Sequence, residues 1–321
     1  MSVLPTLVFV HLGSELPAWL GDAVRQVRLF NRCRVIVAAE ASALAQSALP
    51  VDLGIERSPL EDMTMSESYR AFRETSPLDR DFRDGFWTRT TERFFVLESL
   101  MAQLSLSHMV HLENDVMLYC DLEPLTPKLA SLYPGIAAPF DNDQRCVPDF
   151  CYVPDLASIA RLNAFLVAQF QHIRSHGLNA DAAVLNDMTL LGQYRAHGPF
   201  AIDHLPIVPP DYPRALSSSA GHVVSDPSCY SRHFAALRMI FDAAALGQYL
   251  GGVDARIVAD AADGFVNESC VFDARELKIR LSADGEGRRI PIVQTPSGMW
   301  PVANLHIHSK NLRRFLSVGA L

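Results

Sequence analysis

The chain opens with a short, nearly continuous apolar run, Leu7-Val8-Phe9-Val10-His11-Leu12, which stops at Gly13-Ser14. Trp19, Leu20, Val24, Val27 and Leu29 follow at close to helical spacing, and a second apolar run comes after them at Arg34-Val35-Ile36-Val37-Ala38-Ala39. Two runs buried on both faces, joined through an amphipathic helix by short links, predict an α/β sheet with helices on its faces. Residues 57–86 break the pattern: they are charged and Met-rich and contain Pro59 and Pro77. They read as a long loop with helical pieces, a candidate flap over a site.

A clear helical stripe returns over 87–107, where Phe94, Leu97, Leu100, Met101 and Leu104 recur at i, i+3 and i+4, with Thr88 or Thr90 as the expected N-cap. The helix leads into His108-Met109-Val110-His111-Leu112, then Glu113-Asn114-Asp115, then Val116-Met117-Leu118-Tyr119. Two apolar strands therefore flank a polar junction of three residues. A further strand is expected over 135–139 and helices over about 156–176, 180–196 and 232–250. Gly177 stops the first of these helices. The end of the chain, Ile290-Pro291-Ile292-Val293, a turn at Pro296-Ser297-Gly298, then Trp300 to His308, reads as a hairpin. With no low-complexity linker, the expectation is one compact domain over 1–321, with a nucleotide-binding half (1–125) and an acceptor-binding half (126–321).

Charge narrows the function. The 321 residues carry 28 basic and 36 acidic side chains, a formal net charge of −8. A non-specific nucleic-acid binder needs the opposite sign. The longest apolar candidate for a membrane span, Val35 to Val51, is interrupted by Glu40, Gln46 and two serines. The N-terminal run has no basic residue before it and contains Pro5, so it is expected to be a strand and not a signal peptide. Six scattered cysteines without a C-x-x-C pair suggest reduced thiols in a cytoplasmic protein.

Three constellations carry candidate chemistry. Glu113 and Asp115 stand at the carboxyl end of a buried strand, where α/β sheets place ligands, and carboxylates suit Mg²⁺ or Mn²⁺. Were Leu305 to Lys310 extended, His306, His308 and Lys310 would share one face, joining imidazoles that complete a metal site to an ammonium for phosphate. Arg89 and Arg93, one turn apart at a helix start, would repel each other unless an anion lay between them.

The order F-W-T-R-T-T-E-R-F-F, then H-M-V-H-L-E-N-D-V-M-L-Y-C-D-L-E-P-L, resembles the core of GT-A-fold glycosyltransferases over about 87–125, with looser likeness over 1–40 and 303–311. The resemblance implies a Rossmann-like mixed sheet flanked by helices. It also implies a nucleotide-sugar diphosphate donor, bound through Mn²⁺ or Mg²⁺ at a D-x-D-like motif, and a carbohydrate or lipid-linked acceptor. By this resemblance Glu113, Asp115 and His308 or His306 would hold the metal. The nucleotide and diphosphate would meet His11, Leu12, Gly13, Arg89, Arg93, Asn114 and Lys310. The first acid is Glu113 where the family has Asp, and the His-to-Lys spacing is shorter than in glycogenin-like enzymes, which leaves the metal-binding histidine open. A literal D-x-D, Asp141-Asn142-Asp143, is a second candidate motif or a sugar-binding loop. Asn186, Gln248 and Tyr249 suit sugar hydroxyls, and Asp187, Asp254 and Glu268 are candidates for a carboxylate base. Inversion or retention is not specified. The implied location is cytoplasmic, at most peripheral to the inner face of a membrane.

Two other readings remain. A sugar nucleotidyltransferase calls for a Gly-rich, Arg-containing loop after the first strand, whereas His11-Leu-Gly-Ser-Glu-Leu-Pro17 has one glycine and no basic residue. A non-catalytic sugar- or nucleotide-binding protein on the same scaffold is the other. No G-x-S-x-G or G-x-G-x-x-G occurs.

Overall fold

The computed structural model describes residues 4–47, 49–177, 185–254 and 263–318. Strands β1 (Thr6–Val10) and β2 (Arg34–Ala39) pair in parallel, with α1 (Leu20–Phe30) between them. The helix turns Leu20, Ala23, Val24 and Val27 into the core, where each fully buried Leu or Val side chain contributes about 1.5–3 kcal/mol. After α2 (Ala41–Gln46), β3 (Glu56–Pro59) forms the sheet edge beside β2.

The stretch expected to be a flap is in large part structural. Helix α3 (Glu67–Thr75) buries Tyr69 and Phe72, and Phe72 stacks on Phe95 at 4.5 Å and leans on Phe170 at 5.7 Å. Two aromatics in a polar segment were enough to anchor it, too few to register as a periodic stripe. Helix α4 (Phe86–Leu104) begins at Gly85, which is left-handed (φ 75°), and not at a threonine cap.

Strand β4 (Met109–Leu112) lies parallel to β1 on the side away from β2. Next come β5 (Val116–Leu118) and α5 (Leu122–Leu132), the latter capped by Asp121, which accepts from the Glu123 N–H. Strand β6 (Ile136–Ala138), the small hairpin β7 (Phe140–Asn142) and β8 (Arg145–Cys146), and β9 (Phe150–Val153) follow. Helix α6 (Leu156–Ser175) ends just before Gly177, which turns left-handed (φ 59°) as expected. Of the helix expected over 180–196, α7 spans Asp187–Tyr194, and residues 178–184 lie outside the described residues. With β10 (Ile202–His204) the main sheet has seven strands in the order β10-β6-β9-β4-β1-β2-β3. β9 alone runs antiparallel to its neighbours, so the fold is α/β with a mixed sheet.

The helix expected over 232–250 is two short pieces, α8 (Phe234–Leu237) and α9 (Leu246–Gly251). Arg238 (φ 60°) and Ala244 (φ 53°) adopt left-handed conformations and interrupt it. Strands β11 (Lys278–Ala283), β12 (Arg289–Thr295) and β13 (Gly298–Pro301) form a separate antiparallel sheet, which includes the expected hairpin turn. The chain then leaves that sheet. Its last strand, β14 (Asn304–His306), pairs antiparallel with β5, setting His306 opposite Val116 and Asn304 opposite Leu118.

All six cysteines are buried free thiols. Among the described residues no helix is long and apolar enough to cross a membrane.

Candidate active site

The polar junction Glu113-Asn114-Asp115 begins where β4 leaves the sheet, and β14 is laid against the strand that follows it. Backbone bonds fix this meeting. Glu113 N–H donates to the Asp149 carbonyl (3.1 Å), and Ile307 N–H donates to the Asp115 carbonyl (2.9 Å). As a result one oxygen of Glu113, one of Asp115 and a ring nitrogen of His306 lie within 4.8 Å of one another. His306 Nε2 is 3.1 Å from Asp115 Oδ2 and 3.5 Å from Glu113 Oε2.

The C-terminal segment is not extended through Lys310. Lys310 turns left-handed (φ 66°), and its ammonium donates to Asp115 Oδ2. His308 is half-buried beside His306, the ring centroids 5.6 Å apart, and is not a member of the ligand group. Of the two candidate histidines, His306 is therefore the one that meets the carboxylates.

Charge is balanced tightly here. Burial pushes the Glu113 carboxyl up, but Arg93 and His306 outweigh it and bring it below its ordinary value. Burial acts likewise on Asp115, and His306 and Lys310 hold it well below. Burial works against a charged His306, yet Asp115 and Glu113 raise its pKa to about 9. His308 is pushed down to about 4 by burial and by the neighbouring His306 and Lys310.

Arg89 and Arg93 do not flank an anion together. Arg93 is buried and already committed: Nη1 donates to Glu113 Oε1 (2.5 Å) and Nη2 to Asp187 Oδ2 (2.6 Å). Arg89 is exposed and lines a separate groove of about 230 Å³ with Arg73, Arg80 and Glu92. Its charge also reaches His11, whose pKa is lowered chiefly by burial. His11 Nδ1 and Asn114 Nδ2 are 3.2 Å apart, so the end of β1, with Leu12 and Gly13 following, does border the junction.

Several candidates are held by their own chain. Asn186 caps α7, its side-chain oxygen accepting from Thr189 N–H. Asp143 accepts from Ser225 N–H (2.7 Å), Ser225 Oγ (2.5 Å) and the Tyr230 hydroxyl (2.5 Å). Asp143 still lines a shallow cavity of about 350 Å³ with Gln144, Thr189, Gly192 and Gln193. Asp141 is buried, 3.3 Å from Arg145 Nη1, and burial raises its pKa to about 7. The literal D-x-D therefore does not converge on a shared ligand position. Gln248 is buried within α9 and Tyr249 is partly buried. Asp254 is half-buried and Glu268 is exposed. Of the three base candidates, Asp187 is joined to the ligand group through Arg93.

Two residues at the site had no assigned role from sequence. Asp242 is buried and accepts from the N–H groups of Ala245, Leu246, Gly247 and His306, at 2.8 to 3.0 Å, tying α9 to β14. Gly247 is required there, because a Cβ would stand 2.1 Å from the His306 carbonyl oxygen. Asp149 is fully buried; its Oδ1 accepts from Phe150 N–H (2.8 Å) and its Oδ2 from the Asn304 amide (2.9 Å). The one sequence signal for Asp149 was an acid directly before a wholly apolar strand, Phe150-Cys151-Tyr152-Val153.

Solved structures similar to this chain include mouse xyloside xylosyltransferase 1 in its apo form, with a TM-score of 0.44 and 11% identity over 62% of this chain and 84% of that one. Another is the galactosyltransferase LgtC in complex with donor and acceptor sugar analogs, with a TM-score of 0.40 and 14% identity over 63% and 73% of the two chains. A third is the PaToxG glycosyltransferase, with a TM-score of 0.40 and 6% identity over 60% and 68%. No protein-family model matches the chain, and neither does any curated protein.

Two carboxylates from one junction and an imidazole from the last strand form a donor set suited to a hard or borderline divalent cation. The bound ion would leave positions open for an oxygen ligand such as a phosphate.

Proposed function

We propose that the chain is a metal-dependent glycosyltransferase of GT-A type, moving a sugar from a nucleoside-diphosphate donor to a carbohydrate or lipid-linked acceptor. The observation that carries this reading is the convergence of Glu113, Asp115 and His306 within 4.8 Å, with the Lys310 ammonium on Asp115. Glu113, Asp115 and His306 would hold Mn²⁺ or Mg²⁺, which when bound would supply positive charge to offset that of a diphosphate leaving group. Lys310, whose ammonium lies on Asp115, would pair with a diphosphate oxygen. His11, Leu12, Gly13 and Asn114, at the ends of β1 and β4, border the space for the nucleoside, and the charge of Arg89 reaches it through His11.

Arg93 acts inside the protein: it fixes Glu113 and Asp187 relative to each other and does not reach for phosphate. Asp187, set beside the ligand group by that contact, is the candidate retained for the reacting sugar or the acceptor proton. The polar, uncharged Gln144, Thr189 and Gln193 around Asp143 suit a neutral sugar next to it. The whole chain would act as a single catalytic domain.

The direct test is Asp115→Ala, read by calorimetry with nucleoside diphosphates and Mn²⁺. The wild type is expected to bind a nucleoside diphosphate only with the metal, and the variant to lose that binding and any sugar transfer. Transfer at the wild-type rate in the variant would overturn the metal assignment. Metal-independent sugar binding by the wild type, without transfer, would favour a binding protein instead.

A further inference from the structure

Behind His306, on the side away from Glu113 and Asp115, lies a third carboxylate. Asp149 Oδ2 is 3.9 Å from His306 Nδ1, and that nitrogen is buried with no hydrogen-bond partner among the described residues. Asp149 itself has no exposed surface. Its two oxygens are not free to turn: the Phe150 N–H holds one and the Asn304 amide the other. Asn304 is two residues before His306 on the same strand, so the strand that carries the ligand also aims this carboxylate. A buried carboxylate is costly unless hydrogen bonds and a charged partner compensate it.

We infer that Asp149 is the positioning residue for His306, accepting its Nδ1–H and so directing the Nε2 lone pair at a divalent cation held with Glu113 and Asp115. Metal-bound imidazoles generally give their other N–H to a carboxylate or carbonyl, which fixes tautomer and ring orientation. Here the gap of 3.9 Å closes to a hydrogen bond of about 2.9 Å with about 1 Å of ring movement. The same residue reaches the second ligand through its backbone, since its carbonyl accepts from Glu113 N–H (3.1 Å). Asp149 thus joins β9 to both ligands, and its side chain acts on His306 alone. This role rests on the metal reading above.

The test is Mn²⁺ affinity of the intact chain, followed by electron spin resonance, with ¹⁴N spin-echo modulation reporting histidine coordination. Asp149→Asn keeps the shape but replaces the accepting oxygens in part with a donor. It is expected to weaken Mn²⁺ binding about 10- to 100-fold, the usual cost of an outer-shell partner, and to diminish the nitrogen signal. In a His306→Ala background the same substitution is expected to have no further effect, whereas a merely structural role would weaken binding in both. Should the asparagine variant not fold, Asp149→Ser carries the same comparison. If Asp149→Asn binds Mn²⁺ as tightly as the wild type, or weakens it equally without His306, the inference is overturned and the metal site stands. If the wild type binds no Mn²⁺, the metal reading falls and this role with it.

Discussion

Arg93 takes two carboxylates from different elements, Glu113 after β4 and Asp187 at the start of α7, onto one guanidinium. An ion of this kind stabilises only as part of its group, because taking a charge out of water costs several kcal/mol unless partners replace the solvent. Arg93→Met, of similar length, leaves the buried Asp187 without its guanidinium partner and the half-buried Glu113 with His306 alone, and a loss of about 3–5 kcal/mol is expected in urea denaturation at pH 7. Arg93→Lys is expected to recover only part of it, because one ammonium cannot reproduce the forked, two-sided contact. A loss below 1 kcal/mol (about the value of an exposed pair) would mean that Arg93 does not hold the two acids together. The sequence showed Arg93 as a basic residue on a helical turn and suggested an external anion. Its partners, 20 and 94 positions along the chain, were not legible from local spacing.

At the scale of elements, periodicity gave the parts that bury a continuous stripe. The first two strands, the long α4 and the α6 helix ending at Gly177 were legible because their apolar spacing is regular and long. Elements that depend on a few distant contacts were not. Helix α3 rests on Tyr69 and Phe72, and the break between α8 and α9 is made by side chains that no periodicity reveals. Asp242 explains that break: three N–H groups at the start of α9 and one on β14 point to a single buried carboxylate. Burial pushes its pKa up while those four donors pull it down. Asp242→Ala is therefore expected to free the start of α9 and the His306 strand together. Hydrogen exchange should accelerate at the amides of 245, 246, 247 and 306, with strand β1 left protected. Acceleration confined to α9 would show that the carboxylate does not couple the helix to the ligand strand.

For the whole molecule, the balance of −8 hides a site where acids and bases are matched locally, and the sequence located its acids and its C-terminal basic segment without showing how they meet. The register of β14 on β5, which selects His306 over His308, depends on pairing across almost 190 residues and lies beyond any local reading. The interior also holds titratable groups with no part in the site, and His204 offers a measurement on the fold as a whole. It is fully buried, stacked on Phe140 at 4.1 Å, and neither ring nitrogen has a hydrogen-bond partner among the described residues. Burial, with Arg195 and Arg232 nearby, lowers its pKa well below the ordinary 6.5. The unfolded chain then binds a proton below pH 6.5 that the folded chain refuses. Stability from this group is present above pH 6.5 and is lost as the pH falls. The slope approaches about 1.4 kcal/mol per pH unit. Asp141, with its pKa raised to about 7, acts in the opposite sense over part of the same range, so the wild-type profile alone does not isolate the histidine. His204→Phe keeps an aromatic ring on Phe140 and removes the proton. Whatever it does to overall stability, the wild-type unfolding free energy between pH 6.5 and 5 should fall relative to the variant's by about 2 kcal/mol. Parallel profiles for the two proteins would show that His204 takes up its proton in the folded state, and that the burial drawn here for the β10 end of the sheet is wrong.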